Sequence, residues 1–363
     1  MTRGRARDLG LKLGLLEPGP LNAITDVAGV RVGHSTVIHG DLPGGFGQGP
    51  ARTGVTAIWP SDHLERGGVP AGKHILNGMG EVTGLEEIHE VGHILTPIVL
   101  TNTLSVGLAY DAVARYLIER NPQLMADGAV LVPVVGECND GYLNDAHGMH
   151  VHRAHVYEAL DSATSGPVAE GCVGSGTGMV CFGFKGGIGT SSRQLPANLG
   201  GYTIGALTMT NFGRRPWLTI GGVPVGQLYP DPRYEGQPFM PPEKGSCIVV
   251  IATNAPLSIG QLNRVAQRAG MGLARVGSYA GNGSGDIIVS FSTAYDLPHE
   301  DRSYTVELVN DPAIDPIFAA TIEATEEAIV NSLCMAETTT GLLGRTVEAM
   351  PLDWITKSEF SRL

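Results

Sequence analysis

Short apolar runs bounded by glycine recur along the chain. Residues 55–58, 97–100, 129–135, 203–210, 247–252 and 286–292 read as strands. Several are apolar at odd and even positions alike, the pattern of strands buried between two layers. Three longer stretches repeat at helical spacing. Residues 105–120 set Leu108, Ala112, Tyr116 and Ile118 near one face, and Asn121-Pro122 stops them. Residues 258–269 carry Leu262, Val265, Ala266 and Ala269, with Gly270 as the expected C-terminal stop. Asp315-Pro316 has the form of a helix cap followed by proline at the first helical position. The helix it opens runs through Phe318, Ile322, Ala328, Ile329 and Leu333 to about Glu337. Strands and helices do not alternate as βαβ units. The pattern predicts a layered α+β fold in preference to a Rossmann fold or a barrel.

Composition narrows the function classes. The 363 residues are 42% hydrophobic and 17% charged, so the chain folds and is not a disordered tail. Glycine fills 51 positions, about twice its usual share of roughly 7%, which points to tight turns or closely packed backbones. The net charge is −12, so a phosphate backbone is repelled and no nucleic-acid partner is expected. The five cysteines, at 138, 172, 181, 247 and 334, are odd in number and form no CxxC pair. That disfavours a disulfide framework or zinc ribbon and points to a reducing cytoplasm. The first twenty residues lack the continuous apolar run of a signal peptide, and no stretch reaches the ~18 apolar residues of a membrane span.

One segment breaks the regular pattern. Residues 229–244 contain Pro230, Pro232, Pro238, Pro241 and Pro242 and cannot continue a central strand or a helix. Only Gly245-Ser246 separates this loop from the apolar run that starts at Cys247. An exposed loop ending in Gly-Ser at the start of a buried strand is what a self-cleaving serine hydrolase requires. Gly245 has no side chain to shield its carbonyl. The Ser246 hydroxyl can attack that carbonyl and leave a new chain beginning at Ser246. Serine is a weak nucleophile without a base. An α-amine, with a pKa of about 7.7–8.0, would supply one on the same residue. Gly-Ser by itself is a common dipeptide, and an ordinary loop is the plainer reading of it.

The motifs around the junction carry more weight. They are Ile24 to His34 (ITDVAGVRVGH), Asn77 to Gly84 (NGMGEVTG), Leu100 to Thr103 (LTNT) and Gly136 to Asp145 (GECNDGYLND). The series continues with Gly174 to Met179 (GSGTGM), Lys185 to Ser191 (KGGIGTS), Gly245-Ser246, Ala252 to Leu257 (ATNAPL) and Gly283 to Asp286 (GSGD). In this order, over nearly the whole chain, the sequence resembles the self-processing L-aminopeptidase/D-esterase (DmpA) and β-aminopeptidase group of N-terminal-serine hydrolases. The resemblance implies a four-layer αββα sandwich. It also implies a single domain cut before Ser246 into an α chain, 1–245, and a β chain, 246–363, that stay together. It implies a homotetramer of such units and no cofactor or metal. The nucleophile falls on Ser246, and a second serine and a carboxylate fall on Ser284 and Asp286. Some relatives carry glutamate where this chain has the shorter Asp286. The oxyanion-hole asparagine falls on Asn211, a tyrosine on Tyr142, and the acid that holds a substrate's free amine on Glu137.

The chemistry of these residue types agrees with the roles. A tetrahedral intermediate places negative charge on the former carbonyl oxygen, which a neutral amide such as Asn211 is suited to hold. An aminopeptidase must recognise an ammonium group, as Glu137 would. Ser284 could relay a hydrogen bond between the Ser246 amine and Asp286. Read without the resemblance, each has a plainer account. Asn211 would cap a turn, Glu137 would be a solvated strand end, Tyr142 a core tyrosine, and Ser284 and Asp286 hairpin residues.

The expected activity is release of a small N-terminal residue from short peptides, amides or esters through an acyl-enzyme. An acyltransferase using the same nucleophile, or an unprocessed binding protein, are the alternatives. Other signals carry less. His147, His150, His152 and His155 crowd near Asp145, but their spacing matches no metal motif. Gly178 to Lys185 misses the phosphate-loop spacing by one. The glycine block around it reads as close packing or as the lining of a channel. No GxSxG elbow is present. Alternation points the Cys247 thiol away from the Ser246 side, as a buried apolar group.

Overall fold

The computed structural model describes residues 2–62, 64, 67–123, 131–236, 245–297 and 303–356. Its first strands are β1 (Arg31–His39), β2 (Ala51–Trp59), β3 (Val69–Gly78), the two-residue β4 (His93–Ile94), β5 (Ile98–Asn102) and β6 (Val134–Cys138). A small hairpin follows, β7 (Val180–Cys181) and β8 (Phe184–Lys185). Then come β9 (Gly187–Gln194), β10 (Thr203–Asn211), β11 (Gly245–Thr253) and β12 (Ser284–Ser292). A last hairpin is β13 (Thr339–Thr340) with β14 (Thr346–Val347). The helices are α1 (Leu85–Glu90), α2 (Val106–Arg120), α3 (Arg153–Asp161), the single turn α4 (Val225–Leu228), α5 (Ile259–Arg275) and α6 (Asp315–Met335).

Two sheets carry the architecture. One has the order β1-β2-β5-β6, the other β4-β3-β12-β11-β10-β9. The β5–β6 and β11–β12 pairs are parallel. Alternation along β11 reveals the layers. Cys247, Val249 and Ile251 cluster with Leu262 and Val265 of α5 and with Ala328 and Ile329 of α6. Ile248, Val250 and Ala252 cluster instead with Ile58, Leu100 and Val134 of the opposite sheet. On that sheet's outer side, Val55, Ala57, Val99 and Val135 meet Ala109, Ala112, Val156 and Leu160 of α2 and α3. The order is therefore helices, sheet, sheet, helices: the αββα sandwich that the resemblance implies. Beyond its first residue β11 is buried on both faces, which is why its sequence is apolar without alternation.

Several boundaries differ from the sequence-based expectation. Gly270 does not end α5, which runs on to Arg275. Glycine serves close approach here. A Cβ on Gly272 would sit 2.6 Å from Thr325 Cβ and 2.9 Å from the Ile322 carbonyl oxygen of α6. The left-handed glycine that follows the helix is Gly277, at φ 97°. Asp315 is the first residue inside α6, with Ile314 at the cap, and α6 ends at Met335. The strand expected over 129–135 is Val134–Cys138 instead. Pro133, which has no N–H to give a ladder, stands immediately before it. This shift draws Glu137 and Cys138 into the sheet. Residues 129 and 130, and Pro238, Pro241 and Pro242 of the proline-rich segment, lie outside the described residues. Among the described residues, no helix is long and apolar enough to cross a membrane.

Candidate active site

Ser246 is the second residue of β11 and is 3% exposed. It shares parity with Ile248 and Val250, so its side chain stands on the face toward the other sheet, with Cys247 on the helix side. Directly opposite in the antiparallel ladder is Asn211, the last residue of β10. Residues paired this way share a face. The Asn211 amide is held from both ends. Its Nδ2 donates to the Asn139 carbonyl oxygen at 3.0 Å, and its Oδ1 accepts from the Val180 N–H at 2.9 Å. It is a strand residue and not a turn cap.

Cys138, at the end of β6, faces the same space between the sheets. Its thiol donates to the Met209 carbonyl at 3.7 Å. Complete burial pushes the thiol pKa up, so it stays protonated.

On the other side of β11, parallel β12 sets Ser284 beside Gly245 and Gly285 beside Ser246. Ser284 and Asp286 are both fully buried, and the Ser284 hydroxyl donates to Asp286 Oδ1 at 2.9 Å. Alternation turns the pair toward α5, as it does Ile288 and Ser290. The Ser284–Asp286 pair thus flanks the Gly245–Ser246 peptide bond, while the Ser246 hydroxyl faces Asn211 and Cys138. They open a central strand, not a hairpin.

Glu137 lies one residue before Cys138 and is 4% exposed, so it is no solvated strand end. Its Oε1 accepts the Glu81 N–H at 3.0 Å, and its Oε2 accepts the Thr103 hydroxyl. Burial raises its pKa, and these two hydrogen bonds oppose the rise. A Cβ on Gly80 would lie 3.2 Å from both Glu137 Oε1 and Gly285 Cα. Gly80 thus sits close to both this carboxylate and the strand beside Ser246. Tyr142 stands apart. It is 44% exposed, its ring lies under the Arg345 guanidinium at 4.9 Å, and its carbonyl accepts from the same group.

The histidine cluster divides in two. His152 stacks on His155 at 5.5 Å, while His147, against the Phe46 ring, and His150, against the His39 ring, both lie beside Asp145 at 4.0 and 3.5 Å. Among the described residues, no group of three or more His, Cys, Asp or Glu side chains could hold a metal ion. The glycine block packs backbone against backbone. A Cβ on Gly178 would fall 2.2 Å from the Arg52 carbonyl oxygen, and one on Gly187 2.0 Å from that of Gly171. Lys185, fully buried, is tied to the carbonyls of Gly176 and Gly186.

Thr103 and Cys138 are the site neighbours that the sequence reading does not single out. Both lie inside quoted motifs, LTNT and GECNDGYLND, yet no spacing along the chain tells which side chain each meets.

The model of peptidase family S58 matches residues 22–347. The beta-peptidyl aminopeptidase BapA of Sphingosinicella microcystinivorans is 45% identical over 359 residues, covering 96% of this chain and 89% of that protein. Among solved structures, a Burkholderia sp. beta-aminopeptidase superposes with a TM-score of 0.86 at 44% identity, covering 96% of each chain. The L-aminopeptidase D-Ala-esterase/amidase of Ochrobactrum anthropi, described as a variant of the Ntn hydrolase fold, superposes with a TM-score of 0.87 at 45% identity, again covering 96% of each.

Proposed function

The chain belongs to peptidase family S58, and from that footing we propose that it activates itself by cutting its own backbone before Ser246. It is a hydrolase of the N-terminal-nucleophile aminopeptidase type. In the activating step the Ser246 oxygen bonds to the Gly245 carbonyl carbon and the Gly245–Ser246 C–N bond breaks. The hydroxyl proton passes to the departing nitrogen. Water then hydrolyses the ester, leaving an α chain of residues 1–245 ending in a carboxylate and a β chain of residues 246–363. Ser246 then carries a free α-amine with a pKa near 7.7–8.0, a base suited to neutral pH.

In turnover the Ser246 hydroxyl attacks the substrate carbonyl and its proton moves to that amine. Asn211 donates to the oxyanion. One Nδ2 hydrogen is engaged by Asn139, and a side-chain amide has a second to give. The leaving amine takes up the proton, and water releases the acyl group from Ser246. Ser284, backed by Asp286, orients the α-amine from the flank of the Gly245–Ser246 bond. Glu137 receives the ammonium group of the substrate, a small N-terminal residue of a short peptide, amide or ester. The described contacts of Tyr142, to Arg345, support no step. The resemblance supports a homotetramer of αβ pairs, and free cysteines throughout support a cytoplasmic setting.

One observation carries this reading. Ser246, Asn211 and the Ser284–Asp286 pair come from three separate stretches of chain and fall on adjacent strands at one end of one sheet. A denaturing gel of the purified protein should show two fragments, the smaller with Ser at its N-terminus. Ser246→Ala should give one uncut band and no hydrolysis of L-alanine or β-alanine p-nitroanilide. An active preparation containing only intact chain would sink the proposal.

A further inference from the structure

We infer that Thr103 is a positioning residue for this reaction, its hydroxyl aiming the Glu137 carboxylate at the substrate's ammonium group. The inference rests on the reading of Glu137 given above.

The chain around Thr103 is held in place from both sides. Strands β5 and β6 are parallel, with Thr101 beside Glu137 and Asn102 beside Cys138. Asn102 then fixes the turn that follows. Its Oδ1 accepts the Ser105 N–H at 3.1 Å, and its Nδ2 donates to Thr53 Oγ1 at 2.9 Å. The backbone at 103 is therefore pinned at the N-terminal edge of α2, and the Thr103 side chain can reach the end of β6. Thr103 is exposed while Glu137 is buried. Its hydroxyl and the backbone N–H of Glu81 are the two donors to the carboxylate.

A carboxylate offers about four acceptor positions, so two donors hold the group and still leave lone pairs for an ammonium. Holding it is not trivial, because the surroundings oppose its charge. The titratable groups that face Glu137 are Glu81 in the loop before α1, Asp140 just beyond β6, and the neighbouring Cys138 thiol. All three are acids, and burial acts in the same direction as the Glu81 charge. The two hydrogen bonds are what favour the ionised form. The Glu81 donor is a backbone N–H, which substitution at Thr103 leaves in place. The Thr103 hydroxyl is the adjustable one.

The test compares Thr103→Val, which keeps the shape and loses the donor, with Thr103→Ser, which keeps the donor. Two substrates are used. One is β-alanine or L-alanine p-nitroanilide, whichever the wild type prefers. The other is p-nitrophenyl propionate, which has no amine for Glu137 to hold. In Thr103→Val, KM for the anilide should rise about tenfold, the lower range for a hydrogen bond to a charged group, with kcat changed less. The preference for anilide over ester, as the ratio of kcat/KM values, should fall by a similar factor. Thr103→Ser should restore both. Equal losses on both substrates would overturn the inference while leaving the Ser246 chemistry intact. A Glu137→Gln variant that loses nothing on the anilide relative to the ester would overturn the reading of Glu137, and this inference with it.

Discussion

Asp140 shows how far burial can move a carboxyl three residues from Glu137. It is fully enclosed, and its pKa is pushed up to about 7 by loss of water, against a hydrogen bond from Asn144. In the unfolded chain the value is near 3.9. Between those values the folded protein keeps a proton that the unfolded chain has released, so stability falls as pH rises. The contribution is whole below about 4 and is lost through about 7. His34 runs the other way. Burial holds it down to about 4, so it adds stability as pH rises toward its unfolded value. The clean measurement is therefore a difference. Asn at position 140 fits the same space and does not titrate. Urea midpoints of wild type and Asp140→Asn, compared from pH 4.5 to 7.5, should show wild type losing ground steadily to the variant. Parallel curves would mean that Asp140 titrates normally. Residues such as Asp140 are hard to judge from sequence, because their chemistry is decided by enclosure. Ser246 was legible from the Gly-Ser junction, and Asn211 only from the family resemblance. The Thr103–Glu137 contact was not, because it joins the ends of two parallel strands across 34 positions of chain.

At the scale of elements, the apolar runs on β2, β5, β10, β11 and β12 could be read directly, since both faces of those strands are buried in hydrophobic layers. Strand β9 escaped notice because its sequence, GIGTSSRQ, is small and polar. It is nevertheless buried, and its glycines explain how: a Cβ on Gly189 would lie 1.9 Å from the Ala328 carbonyl oxygen of α6. Helix backbone rests on strand backbone there, and bulk is excluded. Close approach also places a glycine inside α5, at Gly272. Substitution separates the two uses of glycine in that helix. Gly260 has open space where a Cβ would go, so Gly260→Ala should gain up to ~1 kcal/mol from helix propensity. Gly272→Ala must push α5 from α6 and should cost ~1–3 kcal/mol by overpacking. Chemical denaturation of the two variants should therefore move in opposite directions. Equal shifts would show that the α5–α6 crossing yields easily.

For the molecule as a whole, the question is what holds the two sides of Ser246 together once the backbone between them is cut, as proposed. The hydrophobic layers contribute, but the seam also has a charged centre. Helix α6, beyond the cut, carries Glu323 and Glu327. Glu327 is fully buried and binds Arg193 at 2.7 Å, Arg7 at 3.0 Å and the Asn22 side-chain amide at 2.6 Å. Glu323 takes Arg193 Nε at 3.1 Å and the backbone N–H groups of Leu15 and Leu16 at 2.9 and 3.0 Å. Among the described residues, every partner of the two acids named here precedes residue 245, so this network would lie between the two chains. Arg193 is completely enclosed and serves both carboxylates. Arg193→Met keeps bulk and removes the cation, leaving two buried acids short of a partner. Breaking a buried pair on one side typically costs ~3–5 kcal/mol. The contrast is Arg115, which pairs with Asp111 on the open surface, where ion pairs contribute little. Urea unfolding should show a large drop in midpoint for Arg193→Met and almost none for Arg115→Met. Native mass spectrometry of cut Arg193→Met should find the 246–363 fragment released at urea concentrations that leave wild type paired. If both variants unfold together with wild type, the seam is held by its hydrophobic layers, and the acids on α6 are compensated without Arg193.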